Sequence, residues 1–506
     1  MRYLYFVASA LSKMAYAELA DEAMISVNKG IDVFFLTCDG AQNICCCNPC
    51  SNKGTCIACN IIRRKNIKYL DKRIKLRTLS AYAEGEKNYT WDYSNYKELR
   101  EVVYKHAYIG LATMASYIEY TRNLSPKIDP DSKKYFDYSL NQCAILVDSF
   151  EKVYQEIKPD KVFLFNGRLI DSRPIFDWLI YNKKDVGVLE YIATEERSKK
   201  YKVLFDNSLP HNIKNRQKMM EDLWNTSQLS QKERVSIGQS FFNNRRNSKP
   251  AGDYIYTTQQ QKGLLPLDWN NNVVNIGIFN SSEDEFASVG GDYDTLSLFP
   301  SQIEGIKYIL EAFSKDCNYH FYLRIHPNLK NVKYSYHTDL YDLDKQFNNI
   351  TIIGASEKID TYALMDAVDK VIVFGSTMGL EAAFWQKPVI LLSASLYYYA
   401  DVCYIPQTKE KALELIRENL MAKNSEFPIK YGYYSMNYED ASIDENRYSF
   451  LDNTGVPIKI GKFEASGVRY QKCLGSARLF LLLFSGFRFF CEKIHRNRLI
   501  LPRLEA

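Results

Sequence analysis

Residues 371–392 read VIVFGSTMGLEAAFWQKPVILL, and this stretch decides the fold. The apolar run 371–374 predicts a buried strand that ends at a glycine. Ser376 and Thr377 then stand where a helix N-cap would lie, and Pro388 stops the helix before a second apolar strand. A strand, a polar turn, a short helix and another strand predict a parallel α/β sheet. Backbone N–H groups at such a turn favour an anion, above all a phosphate.

The N-terminal residues show the same alternation. Strands are predicted at 3–8 and 31–36, with a helix at 11–27 that Gly30 ends. Strands that alternate with helices favour a parallel, doubly wound sheet. No GxGxxG sequence follows the first strand, so the dinucleotide fingerprint is absent.

Further strands are predicted in both halves of the chain. They lie at 161–165, 186–191, 273–279, 320–325, 350–353 and 389–392. The predicted fold class is therefore α/β, with two Rossmann-like parallel-sheet domains that face a cleft and a C-terminal amphipathic tail. The predicted domains are an N-terminal domain at 1–250 with a cysteine-rich loop at 38–59 and a helical insertion at 96–155, a linker at 251–272, a second domain at 273–425 and an extension at 426–506.

Length and composition limit the possible functions. A chain of 506 residues is long enough for two or three domains, and 46% hydrophobic and 25% charged residues are typical of globular proteins. A net charge of +5 argues against a strongly basic nucleic-acid binder, so no nucleic-acid partner is expected. The apolar opening at 3–8 is interpreted as a buried strand rather than as a secretory signal. No stretch reaches the roughly 18–20 apolar residues of a membrane span.

The C-terminal tail differs from the rest of the chain. Residues 478–503 read RLFLLLFSGFRFFCEKIHRNRLILPR, a dense apolar run with clustered basic residues. This pattern favours an interfacial helix on an anionic membrane surface, and the alternative is a helix that packs back onto the core. The predicted location is cytoplasmic, peripheral to the inner face of the cytoplasmic membrane.

Candidate ligand-binding side chains follow the predicted strands of the second domain. Arg324 and His326 lie at the end of one strand, where α/β domains place their ligand contacts. The His326 imidazole can donate to a phosphate oxygen and stabilise a leaving phosphate, whereas the alternative is a structural histidine in a turn. Glu381 lies one turn into the helix and can bind sugar hydroxyls, whereas the alternative is a solvated acid at a helix N-terminus.

These motifs carry a resemblance. The sequences RIHPN at 324–328 and FGSTMGLEAAFWQKPVI at 374–390 together resemble bacterial capsule and lipopolysaccharide glycosyltransferases of the GT-B type. Members that use CMP-activated sugars have a His-Pro motif and a Ser-Ser or Ser-Thr motif that hold the nucleotide. The resemblance implies that His326, Ser376 and Thr377 bind the donor nucleotide and phosphate, and that the acceptor docks on the first domain. Similar segments are NSSEDEF at 280–286, LTCDG at 36–40 and FNGR at 165–168.

The predicted site extends beyond these three residues. Asp39 is the candidate catalytic base, because a carboxylate after a strand can deprotonate an acceptor hydroxyl, although an Asp-Gly turn residue is the alternative. Arg168 can pair with a donor carboxylate or phosphate, or form an interdomain salt bridge. The predicted donor-binding residues are Arg324, His326, Ser376, Thr377, Gly379 and Glu381, and the further contacts are Asn166, Arg168, Glu190, Ser281 and Ser282.

Seven of the twelve cysteines lie at 38–59. Cys47 and Cys50 form one pair at CxxC spacing, and Cys56 and Cys59 form a second pair, separated from the first by five residues. Four thiolates paired in this way predict a structural zinc site. An iron–sulfur cluster, disulfides in an exported protein and free thiols are the alternatives. No cofactor is required for the predicted catalysis.

The predicted function is a glycosyltransferase of bacterial surface polysaccharide synthesis. It would transfer a sugar from a nucleotide-sugar donor, with a CMP-sugar favoured, to a lipid-linked or growing glycan. The alternatives are a CDP-glycerol-type polyol-phosphate transferase, a nucleotide-sugar epimerase and a non-catalytic component of a polysaccharide assembly complex. The polyol-phosphate transferases usually have an acidic residue before the serines, whereas Phe374 and Gly375 stand there in this chain.

Overall fold

The computed structural model describes residues 1–84, 89–193, 200–249, 251 and 255–436. The predicted membrane-binding tail at 478–503 lies outside these residues. The described residues divide into two compact units. Unit 1 contains residues 1–192 and 200–210, and unit 2 contains Ala193 and the residues from His211 onward.

The six strands of unit 1 have the spatial order β3-β2-β1-β4-β5-β6. Strand β1 lies between β2 and β4 and is parallel to both, with Tyr3 opposite Val33 on one side and Lys161 on the other. This is the order of a Rossmann sheet, in which the chain reverses direction across the sheet between β1 and β4. The strands are β1 Arg2–Val7, β2 Asp32–Thr37, β3 Lys75–Thr78, β4 Lys161–Phe165, β5 Val186–Ala193 and β6 Lys200–Asp206.

Helices fill the connections of unit 1, and local side chains account for where several of them begin. The Asn52 side chain accepts from two backbone N–H groups at the start of α2, and Asp129 forms a capping box with Ser132 at the start of α5. In the core, the stacked rings of Tyr5 and Phe163 join neighbouring strands at a centroid distance of 4.5 Å. The helices are α1 Lys13–Asn28, α2 Lys53–Asn66, α3 Tyr96–Arg100, α4 Ile109–Thr121, α5 Pro130–Ile157 and α6 Arg173–Tyr181.

Unit 2 contains a second sheet of five strands in the order β11-β10-β7-β8-β9. All neighbouring strands in it are parallel. The order reverses between β7 and β10, so the carboxyl ends of these two strands bound the crevice where such sheets bind ligands. The strands are β7 Val274–Phe279, β8 Tyr319–Arg324, β9 Ile350–Ile353, β10 Lys370–Val373 and β11 Val389–Leu391.

The helices of unit 2 include two that precede its sheet. Helix α8 packs closely on α16, because Gly238 of α8 lets the Ile429 carbonyl approach to 2.3 Å from where a Cβ atom would stand. The helices are α7 Ile213–Thr226, α8 Gln231–Arg246, α9 Glu283–Phe286, α10 Asp292–Thr295, α11 Gln302–Ala312, α12 Ser335–Thr338, α13 Thr361–Ala367, α14 Met378–Phe384, α15 Lys409–Arg417 and α16 Phe427–Met436.

The division between the units differs from the predicted domain boundary. Residues from His211 onward, including α7 and α8, group with the second sheet rather than with the first. The segment 251–272, predicted as an interdomain linker, also lies within unit 2. Ala251 and Ile255 are buried there, and the Gln261 N–H donates to the Lys358 carbonyl at 2.8 Å. Polar composition concealed these long-range contacts.

The predicted α/β class with two Rossmann-like parallel sheets is confirmed. Within the described part of the chain, none of the helices combines the length and apolar character that crossing a bilayer requires.

Candidate functional site

A pocket lies at the carboxyl ends of β7, β8 and β10 in unit 2. It has a volume of about 540 Å³ including its solvent-open mouth. The residues that follow these strands form part of its wall, and they include four predicted site residues, which are Arg324, His326, Ser376 and Thr377. The structure therefore brings the His-Pro turn and the Ser-Thr turn, about 50 residues apart in the sequence, to one pocket.

One hydrogen-bond network joins the two strand ends beneath the pocket. The Ser281 hydroxyl donates to the Phe374 carbonyl at 2.8 Å, and the Gln302 amide donates to the same hydroxyl at 2.9 Å. Ser281 is 5% exposed and Ser282 is 1% exposed. Neither serine lines the pocket, so the structure does not bring these two predicted contacts into it. Ser281 instead ties the end of β7 to that of β10.

The surroundings of His326 determine which ring nitrogen carries the proton. The Asn328 backbone N–H donates to His326 Nδ1 at 3.2 Å, so the neutral ring carries its hydrogen on Nε2. The His326 backbone N–H donates to Asn280 Oδ1 at 2.8 Å, and the Tyr256 ring lies edge-on to the imidazole at 5.2 Å. These contacts hold the imidazole at the pocket with Nε2–H as its donor.

The Ser-Thr turn begins at Gly375, where the backbone adopts a conformation that only glycine suits. Gly375 has a φ of +87°, and a Cβ atom there would stand 2.5 Å from the Ala394 carbonyl oxygen. Ser376 is buried and its hydroxyl accepts from the Met378 N–H at 3.3 Å, whereas Thr377 is exposed. Thr377 therefore offers the more accessible hydroxyl. Helix α14 has only seven residues, so its dipole contributes less than the sequence suggested.

Gly379 was predicted to bind the donor, but the structure assigns it a packing role. A Cβ atom at this position would lie 2.3 Å from the Tyr397 hydroxyl, which itself donates to the Ser376 carbonyl. The missing side chain makes room for Tyr397 beneath the turn, and Tyr397 in turn holds Ser376 in place.

Glu381 was predicted to bind sugar hydroxyls or to be solvated, and neither description fits. Its side chain is 1% exposed and accepts from Arg245 Nε at 3.1 Å and from the Tyr362 hydroxyl. Burial and the adjacent carboxylate raise the pKa of Tyr362, so the phenol stays a hydrogen-bond donor. Glu381 therefore balances the charge of Arg245, and Arg245 lines the pocket.

Arg324 supplies a second cation to the pocket wall. It is 4% exposed, and its guanidinium donates to the Gly354 carbonyl at 2.8 Å and to the Glu357 carbonyl at 3.3 Å. Burial lowers the pKa of Arg324 to about 10, so the group remains a cation at neutral pH. Its predicted place at the pocket agrees with the structure.

The predicted base lies in unit 1 and is held by its own unit. The Asp39 carboxylate accepts from the Ser80 N–H at 3.0 Å and also from the Ser80 hydroxyl, while the Asn60 amide donates to the Asp39 carbonyl at 2.8 Å. These contacts resemble those of a turn-forming residue, which was the alternative interpretation. The role of Asp39 as a base stays a prediction.

The other unit 1 candidates form contacts near the end of β4. The Asn166 amide donates to Glu190 Oε2 at 2.7 Å, and Asn166 has a φ of +60°. Arg168 pairs with Glu119 of α4, within the same unit. These three residues shape the carboxyl edge of the unit 1 sheet.

The four cysteines of the predicted zinc site do not fit a zinc ion. Cys50 is exposed beside the Tyr120 hydroxyl, and the Cys47 sulfur lies 3.7 Å from that of Cys46. Cys56 and Cys59 lie in the first turns of α2 and line a cavity that neither Cys47 nor Cys50 reaches. Among the described residues, no group of three or more His, Cys, Asp or Glu side chains could hold a metal ion. Cys47 and Cys50 lie in the loop before α2, whereas Cys56 and Cys59 lie within α2, which begins at Lys53.

Several residues of the pocket were missed by the sequence analysis. The segment interpreted as a linker supplies Ile255, Tyr256, Thr257 and Gln260, and α8 supplies Arg245. The alternation of strands and helices carries no signal for these contacts, because they come from segments that precede the sheet. The available hint was the cluster of aromatic and apolar residues at 254–256 within a segment that was interpreted as a polar linker.

Comparison with known proteins identifies one family match. Residues 291–420 match the family model described as Capsule polysaccharide biosynthesis protein. Both motifs that carry the predicted resemblance, at 324–328 and 374–390, lie inside the matched region, so the resemblance is confirmed for this part of the chain. No curated protein matches the sequence.

Solved structures give weak similarities. The beta Kdo 2,4 transferase KpsC of Thermosulfurimonas dismutans is 10% identical, with 55% of this chain and 79% of that chain covered and a TM-score of 0.31. The UDP-GlcNAc 2-epimerase of Neisseria meningitidis, bound to UDP-GlcNAc, is 12% identical, with 94% and 100% covered and a TM-score of 0.25. At these scores the similarities carry no argument about this chain.

The buried pair of Arg245 and Glu381 generates a stability prediction. Glu381→Ala leaves the guanidinium without its carboxylate, and we expect a loss of about 3–5 kcal/mol in the free energy of unfolding. Glu381→Leu combined with Arg245→Met should cost less than the sum of the two single changes, because neither charge is left alone. Denaturant unfolding of all variants measures this coupling.

The exposed Glu311→Ala is the matched control and should change the unfolding free energy by less than about 0.5 kcal/mol. Additive single effects would contradict the role of Glu381 as the counter-ion of Arg245.

Glu283, directly after the buried serines, generates a pH prediction. Burial raises the pKa of Glu283 to about 7, against the effect of a hydrogen bond from the Gln302 backbone, and the carboxylates of Asp284 and Glu304 add to the rise. The folded state then binds a proton that the unfolded state loses near its ordinary pKa of about 4.3, so this group makes stability fall as pH rises towards 7. Glu283→Gln should remove that loss.

Thermal unfolding of the wild type and Glu283→Gln at several pH values measures the effect. The advantage of the variant should grow between about pH 4.5 and pH 7. The exposed Glu410→Gln serves as the control, and parallel pH profiles for Glu283→Gln and the wild type would refute the prediction.

Proposed function

We propose that this protein is a glycosyltransferase of capsule or related surface polysaccharide synthesis, which moves a sugar from a nucleotide-sugar donor to a glycan acceptor. One observation carries the proposal. The His-Pro turn and the Ser-Thr turn line the same pocket at the reversal point of a Rossmann sheet, and both lie within the region that matches the capsule biosynthesis family. Open α/β sheets bind their ligands at this position.

The proposed reaction develops negative charge on the donor phosphate. An acceptor hydroxyl oxygen bonds to the anomeric carbon, and the bond from that carbon to the phosphate oxygen breaks. The electron pair leaves on the phosphate, and the hydroxyl proton passes to a carboxylate, for which Asp39 remains the proposed base. His326 Nε2–H, the Thr377 hydroxyl and the guanidinium groups at the pocket would stabilise the leaving phosphate.

The preformed position of these donors supports the proposal physically. The His326 backbone N–H donates to Asn280 Oδ1, its imidazole Nδ1 accepts from the Asn328 N–H, and the Arg245 side chain is held by Glu381. Donors that are already oriented need little reorganisation when charge develops, and they act strongly where water is partly excluded. Two cationic side chains in the wall match an anionic nucleotide.

The finer parts of the proposal rest on the sequence resemblance. A CMP-sugar is the favoured donor, and a lipid-linked or growing glycan is the favoured acceptor. The proposed membrane contact of residues 478–503, with a location at the inner face of the cytoplasmic membrane, would bring the enzyme to a lipid-linked acceptor.

His326→Ala is expected to lower kcat by about 10²–10³-fold, since it removes one oriented donor to the leaving phosphate. Thr377→Ala should have a smaller effect in the same direction. Isothermal titration with CMP, CDP, UDP and GDP identifies the nucleotide, and CMP is expected to bind most tightly. Glycan synthesis in a complemented deletion strain then measures activity.

His106→Ala is the matched control, because this histidine is exposed, stacks on Tyr181 and is not among the residues that line the pocket. Normal glycan synthesis by both His326→Ala and Thr377→Ala would argue against catalysis at this pocket. Failure to bind any of the four nucleotides would favour a non-catalytic assembly component.

A further inference from the structure

Helix α2 of unit 1 carries exposed apolar and basic side chains on the same face. Ile57 and Ile61, about one helical turn apart, are 45% and 41% exposed. Ala58 and Ile62 are buried, and Ile62 belongs to the core of unit 1, so α2 packs on its own unit through that side. The outer face of α2 consists of these two isoleucines and the exposed basic residues Lys53, Arg64, Lys65 and Lys68, the last in the turn after the helix.

Helical spacing places these side chains in one stripe, because residues three and four positions apart lie on the same face of a helix. Lys53 precedes Ile57 by four residues, as Ile57 precedes Ile61. Arg64 and Lys65 then follow Ile61 by three and four residues. At 1.5 Å per residue the stripe is about 18 Å long, with positive charge at both ends and the isoleucines between them.

The sequence around this stripe is strongly positive. Residues 40–70 contain five Lys or Arg and no Asp or Glu, although the whole chain has 60 acidic residues and a net charge of only +5. Within the described part of the chain, the exposed Lys53, Arg64 and Lys68 form no ion pair. A local excess of positive charge that is not neutralised within the unit attracts an anionic partner.

The isoleucines indicate which kind of anionic partner fits. A lipid membrane offers anionic headgroups to the basic side chains and, directly beneath them, acyl chains to the isoleucines. A dissolved polyanion would use the basic side chains alone and would leave Ile57 and Ile61 in water. Helix α2 also has no aromatic residue on which a base could stack, so single-stranded nucleic acid fits it less well.

We propose that the outer face of α2 is a docking surface for an anionic lipid membrane. The basic side chains lie at the headgroups, and Ile57 and Ile61 enter the upper part of the acyl layer. This surface is distinct from the segment 478–503, and its binding to lipid does not depend on sugar transfer. One consequence rests on the proposed function: Asn60 of α2 donates to the Asp39 carbonyl at 2.8 Å, so docking would hold the Asp39 turn near a lipid-linked acceptor.

Co-sedimentation of the full chain with lipid vesicles tests the proposal. The wild type should bind vesicles that contain phosphatidylglycerol far more tightly than vesicles of phosphatidylcholine alone, and added salt should weaken the binding. Lys53→Gln, Arg64→Gln and Lys68→Gln combined in one variant should lower the partition coefficient for the anionic vesicles about 100-fold, at about fivefold for each lost charge.

Ile57→Gln combined with Ile61→Gln tests the apolar contribution at unchanged charge. This variant should lower the same partition coefficient about tenfold, because it removes the apolar area that enters the bilayer. Glutamine forms helices well and both positions are exposed, so α2 should stay folded, which circular dichroism checks.

The matched control combines Lys97→Gln, Lys158→Gln and Lys183→Gln, three exposed lysines of unit 1 outside α2, and should bind nearly as the wild type does. Four results would each overturn the proposal: no binding of the wild type to anionic vesicles, wild-type binding by both α2 variants, an equal loss in the control, or a loss in the charge variant alone, which would assign the surface to a dissolved polyanion. The assay contains no nucleotide or acceptor, so its failure would leave the proposed sugar transfer standing.

Discussion

The hydrogen bond from the Ser281 hydroxyl to the Phe374 carbonyl, at 2.8 Å, ties the carboxyl end of β7 to that of β10. These strands flank the point where the order of the unit 2 sheet reverses, and helices pack on opposite faces on either side of such a point. A crevice therefore opens there, and its width depends on how the two strand ends are held. Gln302 supports the same serine from α11. This hydrogen bond therefore helps to set the distance between the His-Pro turn and the Ser-Thr turn.

The charged side chains around the pocket leave its wall positively charged. Arg245 and Arg324 bring two guanidinium groups to the wall, whereas the one carboxylate paired with Arg245 is buried behind it. Glu381 thus keeps Arg245 in place while the face towards the pocket stays cationic. A site built in this way favours a phosphate-bearing ligand over a neutral one, because the anion replaces the water that the guanidinium groups lose.

Local sequence patterns predicted much of this structure, and long-range contacts account for what they missed. Buried apolar runs predicted nine strands close to their observed bounds, whereas β3 and β6 were not predicted. The residues of β3 are exposed or half-exposed and form no apolar run. The Ser-Thr turn was predicted because cap and glycine signals are local. The pair of Arg245 and Glu381 joins residues 136 positions apart, so no local pattern could show that Glu381 is buried. The CxxC spacing likewise did not show that Cys50 is exposed beside Tyr120 whereas Cys56 and Cys59 line a cavity.

The central claim is that the pocket at the ends of β7 and β10 holds the donor nucleotide. A crystal structure of the full chain with CMP bound tests it most directly. The account predicts that the phosphate lies within hydrogen-bonding distance of His326 Nε2 and the Thr377 hydroxyl. Nucleotide density at any other position in the chain, with this pocket empty, would contradict it.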